Sequence, residues 1–145
     1  MPANTSPIFI LTANKGINTG LRLTTANTTR DLSTTTNGGL LFTAGTNGSR
    51  IEQIDFVHSA ASQTQASILA VGRIFLCDSA IGGNPRLIKE IALPAVTPSV
   101  SAIGATYSMT FTVPLFIASG EHLWATISAT QTSGAYDITC YGGDY

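Results

Sequence analysis

Hydrophobic and polar residues alternate along most of this chain, and the alternation has a period of two. In "YSMTFTV", 107–113, Tyr107, Met109, Phe111 and Val113 fall on one side, with Ser108, Thr110 and Thr112 on the other. That is the pattern of a strand with one buried face. "HLWATISA" repeats it, with Leu123, Ala125 and Ile127 inward, and so does "AYDITCYG", with Tyr136, Ile138 and Cys140 inward. In "RIEQIDFVHSA", Ile54 and Phe56 share a face while Ile51 and Val57 fall on the opposite one, which predicts a bulge or burial on both sides. "SILAVGRIFLCD" is apolar on both faces apart from Arg73. It predicts a central strand, covered on one side by the core and on the other by something else. "RLIKEIAL" is a further strand, and "GLLFTA" (39–44), "TGLRLTTA" (19–26) and "PIFIL" (7–11) are extended segments ahead of them.

Clusters of Gly, Pro, Asn and Ser separate these runs, among them "AGTNGS", "DSAIGGNP", "PAVTPSVSAIG" and "QTSG". No segment longer than a turn carries a 3.6-residue period, and there is no internal repeat. About eight strands with turns every 10–15 residues predict an all-β antiparallel sandwich or a closed barrel. The organisation expected is an extended N-terminal arm, 1–18, and a single domain, 19–145. Within that domain "NTTRDLSTTTNGG" forms a long loop, a feature often tied to function in a compact fold.

Composition narrows the partners. Only 10% of the 145 residues are charged, against about 25% in a typical soluble domain, and the formal net charge is −1. That balance argues against nucleic-acid binding, which requires a basic footprint, and against attachment to an anionic membrane. Few like charges are left to hold copies apart, so such a surface suits a protein that spends its life in contact with something, although a Thr-rich sandwich that is polar through its hydroxyls would look the same. The segment "MPANTSPIFILTANKG" lacks the pattern of an export signal, and no apolar run is long enough to span a bilayer. The expectation is synthesis in the cytoplasm, or assembly there into a particle.

Candidate chemistry is sparse. The acidic residues form no ExxE, DxD or HxH cluster, and His58 and His122 stand far apart in sequence. Gly-rich phosphate loops and nucleophile elbows are missing. Cys77 and Cys140 have neither CxxC spacing nor a neighbouring His, so no metal site is expected. Buried free thiols are the expectation for them and a disulfide the alternative. The reading is a protein that is not an enzyme and that uses no cofactor. Binding features are better represented. Trp124 and Tyr141 alternate out of phase with the inward residues of their strands, so both face away from the core of their own sheet. Exposed aromatics on a low-charge sheet mark an interface. The alternative for Trp124 is a cap over the core, covered by the N-terminal arm.

The phrases "PANTSPIFILTANKG", "LRLTTANTTRD", "LFTAGTNGSRIEQI", "RLIKEIALPAVTPS" and the terminal "YGGDY" resemble small proteins of the structural modules of tailed phages and prophages, in particular the jelly-roll cement or decoration proteins of phage heads. The resemblance covers most of the chain and lies in phrases and order. It implies a jelly-roll β-sandwich on the outer surface of the head, often trimeric, that bridges neighbouring major capsid subunits. The partners implied are the major capsid protein and other copies of the chain, with a homotrimer favoured. The contact element it suggests is residues 1–38, with Ile8, Phe9, Leu21, Arg22, Thr24 and Arg30 as candidates beside Trp124 and Tyr141. The alternative is a receptor- or glycan-binding sandwich at a tail-fibre or baseplate tip.

Overall fold

The structure is a computed structural model and describes residues 12–14, as backbone, and 21–145. The described residues form strands and loops without a helix. Nine strands lie among the described residues: β1 (Thr12–Asn14), β2 (Leu21–Leu23), β3 (Gly38–Thr43), β4 (Ser49–Ser59), β5 (Ala70–Cys77), β6 (Arg86–Leu93), β7 (Thr106–Ile117), β8 (His122–Ile127) and β9 (Ala135–Asp144). They build two antiparallel sheets. The first has the order β1-β9-β4-β7, with β2 also pairing β9, and the second the order β3-β8-β5-β6. The all-β sandwich of the sequence reading is the architecture found.

The pairings nest. β5 pairs β6, β4 pairs β7, β3 pairs β8 and β2 pairs β9, each antiparallel and each enclosing the pair before it along the chain. Successive pairs lie in alternate sheets. β4–β9 and β5–β8 contacts then join the pairs within each sheet.

Between the sheets, Ile51, Ile54 and Phe56 of β4, Ile74 of β5, Leu123, Ala125 and Ile127 of β8, and Tyr136, Ile138 and Cys140 of β9 interlock with Leu41 and Phe42. Each of those β8 and β9 positions is one that period two assigns inward. Ile51 joins the core although it is out of phase with Ile54, because β4 bulges at Glu52: Ile51 stands opposite Gly142 and Gln53 opposite Tyr141. The extra residue turns the strand by half a period. The same irregularity defeats the simple pattern in β7. There Leu115 pairs Ile51 and Thr110 pairs Gln53, so 111–114 face the single residue Glu52. Val113, expected inward with Met109, is 76% exposed as a result. "PIFIL" lies outside the described residues. The strand observed just after it is Thr12–Asn14, which pairs Gly142–Asp144 at the edge of the first sheet.

Candidate interaction surfaces

The outer face of the second sheet is the one the sequence left without a cover. On β5, Phe75 and Cys77 point away from the sandwich core and form a separate buried cluster with Trp124 of β8 and Leu32. Residues 24–37, the long Thr- and Asn-rich connection between β2 and β3, are what lies over them. Asn27, 2% exposed, holds this segment together. Its amide Nδ2 donates to the carbonyls of Thr34 and Thr36, both at 2.8 Å. Its Oδ1 accepts from the backbone N–H and the hydroxyl of Thr29, and its own N–H donates to Ile127 at the end of β8. A short polar residue with every group occupied can be buried because its hydrogen bonds offset the water it loses.

Arg73 fastens the loop to the sheet. The side chain is buried beneath the loop. Its Nε donates to Glu90 Oε1 at 3.0 Å and its Nη1 to the carbonyl of Asn27 at 3.2 Å. Arg30, on the loop, reaches the other oxygen of the same carboxylate at 2.7 Å. Glu90 thus bridges sheet and loop, and the two guanidiniums, Arg30 first and Arg73 second, hold its carboxyl below the ordinary range. The one charge that interrupts the apolar run of β5 is the group that binds its cover.

These contacts correct part of the candidate list. Trp124 does face away from the sandwich core, but at 9% exposure it is not a surface aromatic. Its cover is the 24–37 loop with Leu32. Leu21 pairs Ile138 and is half buried against the core, where it also closes the space beside Gly39 of β3. Arg22 and Thr24 are exposed; Arg22 lies 3.7 Å from Asp137, and the Thr24 carbonyl accepts from the N–H of Gln131. Arg30 is exposed yet committed to Glu90. Tyr141 is 40% exposed, on the outer face of the first sheet, as its phase predicts. Ile8 and Phe9 lie outside the described residues.

Register assembles the residues around Tyr141 into one face. Thr110, Gln53 and Tyr141 form one row across β7, β4 and β9; Ser108, Asp55 and Thr139 form the next; Thr106, Val57 and Asp137, with Arg22 of β2, the third. Its charges are Asp55, which accepts from Gln53 Nε2 at 2.7 Å, and the Arg22–Asp137 pair. Sequence reasoning missed this surface, although the outward Ser and Thr of "YSMTFTV" were its signal. Beside it, at the sandwich end where β7 stops and β4 begins, Phe116 is 59% exposed and stacks on Tyr145 with ring centroids 6.3 Å apart.

At the opposite end a cleft of about 300 Å³ opens between the 59–65 and 98–104 loops, with His58 at its wall among Ser59, Gln65 and Ser99. His58 is 8% exposed and packs edge-on against Tyr136 at 5.5 Å. Its buried Nε2 has no hydrogen-bond partner. The Ser59 hydroxyl is bonded to Asp137 and not to the buried His58 Nε2, so these three groups do not form a nucleophile–base–orienter chain through that nitrogen. Burial pushes the imidazole pKa down, with Asp137 opposing. His122 pairs with the Thr43 hydroxyl at the start of β8. Cys77 and Cys140 are free and buried in different clusters, and burial pushes the Cys140 thiol up to about 12. Among the described residues no three His, Cys, Asp or Glu side chains are grouped to hold a metal.

No family model matches the chain, and no curated protein or solved structure matches it.

Proposed function

We infer that this chain is a structural protein of a tailed phage that decorates the outside of the head and cements neighbouring major capsid subunits. Its nested strand pairs are read as a jelly roll, in which a long folded hairpin is wrapped into two sheets. The observation that carries the reading is the outer face of the first sheet. Three rows in register carry the hydroxyls of Thr106, Ser108, Thr110 and Thr139, the Gln53 amide, the Tyr141 ring and Val57, and their few charges are Asp55, bonded to Gln53, and the Arg22–Asp137 pair. The Arg22 and Asp137 charges offset one another and Asp55 keeps an amide donor, so such a face loses less on leaving water than one of unpaired charges, and it offers hydrogen-bonding groups across its area. One such contact is weak. A shell that binds many copies adds the contacts together. The resemblance of its phrases to those of head cement proteins suggests the virion context, and the homotrimer and the location on the outer surface of the head belong to the same reading.

The test is co-sedimentation of the purified chain with heads of the phage or prophage that encodes it, together with the temperature at which those heads release DNA. Thr110→Glu combined with Tyr141→Glu puts two unpaired charges on the face, both opposite the neutral Gln53, without touching the core. It should weaken head binding about tenfold or more, the cost of one to two buried unpaired charges at a contact, and leave the melting temperature of the free protein unchanged. Undiminished binding would remove this face from the contact. The second reading, a glycan- or receptor-binding tip, is favoured by Tyr141 alone. It requires Tyr141→Ala to abolish cell or sugar binding while head stability stays the same.

A further inference from the structure

The longest stretch of this chain without a charged side chain is 91–120, between Glu90 and Glu121, and β7 lies inside it. β7 is also the outermost strand of the first sheet, and among the described residues no strand pairs its outer edge. One bond tells which of its backbone groups face that edge. The N–H of His58 donates to the carbonyl of Ala105 at 2.8 Å, and the register continues with Phe56 opposite Tyr107 and Ile54 opposite Met109. Residues of an antiparallel strand turn their N–H and C=O alternately to one side and to the other. Ala105, Tyr107 and Met109 therefore bond β4, and Thr106, Ser108 and Thr110 present both groups outward. Such an edge is a template for another strand. β6, at an edge of the second sheet, carries Arg86, Lys89 and Glu90, charges that discourage the same pairing.

Six large apolar side chains among the described residues are more than half exposed, and four of them bracket this edge: Val100 and Ile103 before its start, Val113 and Phe116 near its end. The two pairs stand at matching distances from Ser108, which lies opposite Asp55. Phe116 is opposite Arg50, five residues or ~17 Å along β4, and Val113 lies in the bulge against Glu52, three residues or ~10 Å along. Ile103 is five residues before Ser108 and so lies within ~17 Å on the other side. Val100 is beside it, in the turn closed by Ser99 and Ala102. A two-fold axis through Ser108 would therefore bring the 100–103 end of one copy to the 113–116 end of another. Under a two-fold, each charge near the axis meets its own image, so only an uncharged segment can pair with itself this way. Asp55 is one strand in from the edge, and its image would be three strand spacings off, about 14 Å, beyond the ~8–10 Å over which exposed charges act. Apolar side chains so exposed present on the order of 100 Å² each, so eight of them from two copies, with the paired backbone, approach the ~1,200 Å² of a specific contact.

We propose that β7 is a dimerisation strand: two copies of this chain join edge to edge about a two-fold axis at Ser108. Ser108 pairs with its own counterpart and Thr106 with Thr110, each pair exchanging both main-chain hydrogen bonds. At either end Val100 and Ile103 of one copy pack on Val113 and Phe116 of the other. Pro114, which offers no donor, lies outside the paired stretch. The contact uses the same surface on both copies and closes on itself. It goes beyond the head-binding reading and does not depend on it, because no head is needed to observe it.

The experiment is light scattering on a sizing column over a hundredfold range of concentration. The full chain should elute at twice the monomer mass of 15.1 kDa. Ser108→Pro removes the donor on the axis, at an edge position where proline is tolerated. Ile103→Glu sets a charge against Val113 of the other copy. Each should raise the dimer dissociation constant about tenfold or more. Adding Val113→Lys to Ile103→Glu should recover much of the loss, which damage to the fold by either change would not do. Tyr141→Glu, two strands in from the edge, should leave the dimer intact. Ser108→Cys should form a disulfide between chains on oxidation, since counterparts on the axis lie ~5.5 Å apart, and Thr106→Cys, offset from its counterpart by four residues or ~14 Å, should not. A monomer across the whole range or a three-copy mass overturns the proposal. So does a dimer indifferent to both Ser108→Pro and Ile103→Glu, one dissociated by Tyr141→Glu, or a Thr106→Cys cross-link that forms as readily as that of Ser108→Cys.

Discussion

Removing the Leu32 side chain tests whether the 24–37 loop belongs to the body of the protein or is free to meet a partner. Leu32 is 3% exposed and lies over Phe75, Cys77 and Trp124. Its backbone has φ 53°, which Leu32→Ala leaves in place, so the substitution isolates the side chain. Truncating a buried leucine costs about 2–5 kcal/mol, and a site beneath a loop can partly collapse, so the lower range of about 2–3 kcal/mol is expected. Unfolding entropy of ~2.1 cal/mol/K per residue gives ~300 cal/mol/K for a chain of this length, which converts the loss into a fall in Tm of about 7–10 °C. Trp124 is the only tryptophan. Its fluorescence therefore reads the same event separately: emission should move to the red and become more open to quenching by acrylamide. A Tm within ~1 °C of the parent and unshifted emission would refute the reasoning. The loop would then be loosely seated and available as the contact element that the sequence suggested.

Stability should depend on pH through His58. Burial holds its folded pKa below the ordinary 6.5, so the unfolded chain takes up the proton first as pH falls. Stability should be level above about pH 7 and decline from about 6.5 downward until the folded imidazole also protonates; urea midpoints of the parent and His58→Gln across this range should converge at low pH if the assignment is right, and run parallel if it is wrong. Gly72 of β5 faces Phe56 across the sandwich, where a Cβ would lie 2.7 Å from Cε1 and 2.8 Å from Cζ. Gly72→Ala should cost about 1–3 kcal/mol by overpacking, measured by denaturant unfolding, and a neutral result would mean the sheets separate more readily than the packing implies.

Of the strands that period two marked, β8 and β9 keep their faces in the fold, because there nothing but burial decides which side of a pleat turns inward. Where a second constraint entered, the pattern failed. The β4 bulge at Glu52 brought Ile51 into the core and left Val113 outside it, and a bulge is set by how two strands far apart in sequence fit side by side. "SILAVGRIFLCD" declared that both of its faces are covered. It could not declare that the second cover is the 24–37 loop, held by Arg73, Glu90 and Asn27, since those contacts span 17 to 60 positions of chain. Trp124 shows the limit most plainly: alternation correctly turned it away from the sandwich core, but alternation counts faces and knows nothing of a loop that folds over one. The outer face of Thr106, Ser108, Thr110, Gln53, Thr139 and Tyr141 was likewise written as outward positions on three separate strands. Only strand order and register, which long-range pairing decides, bring those positions side by side as one surface.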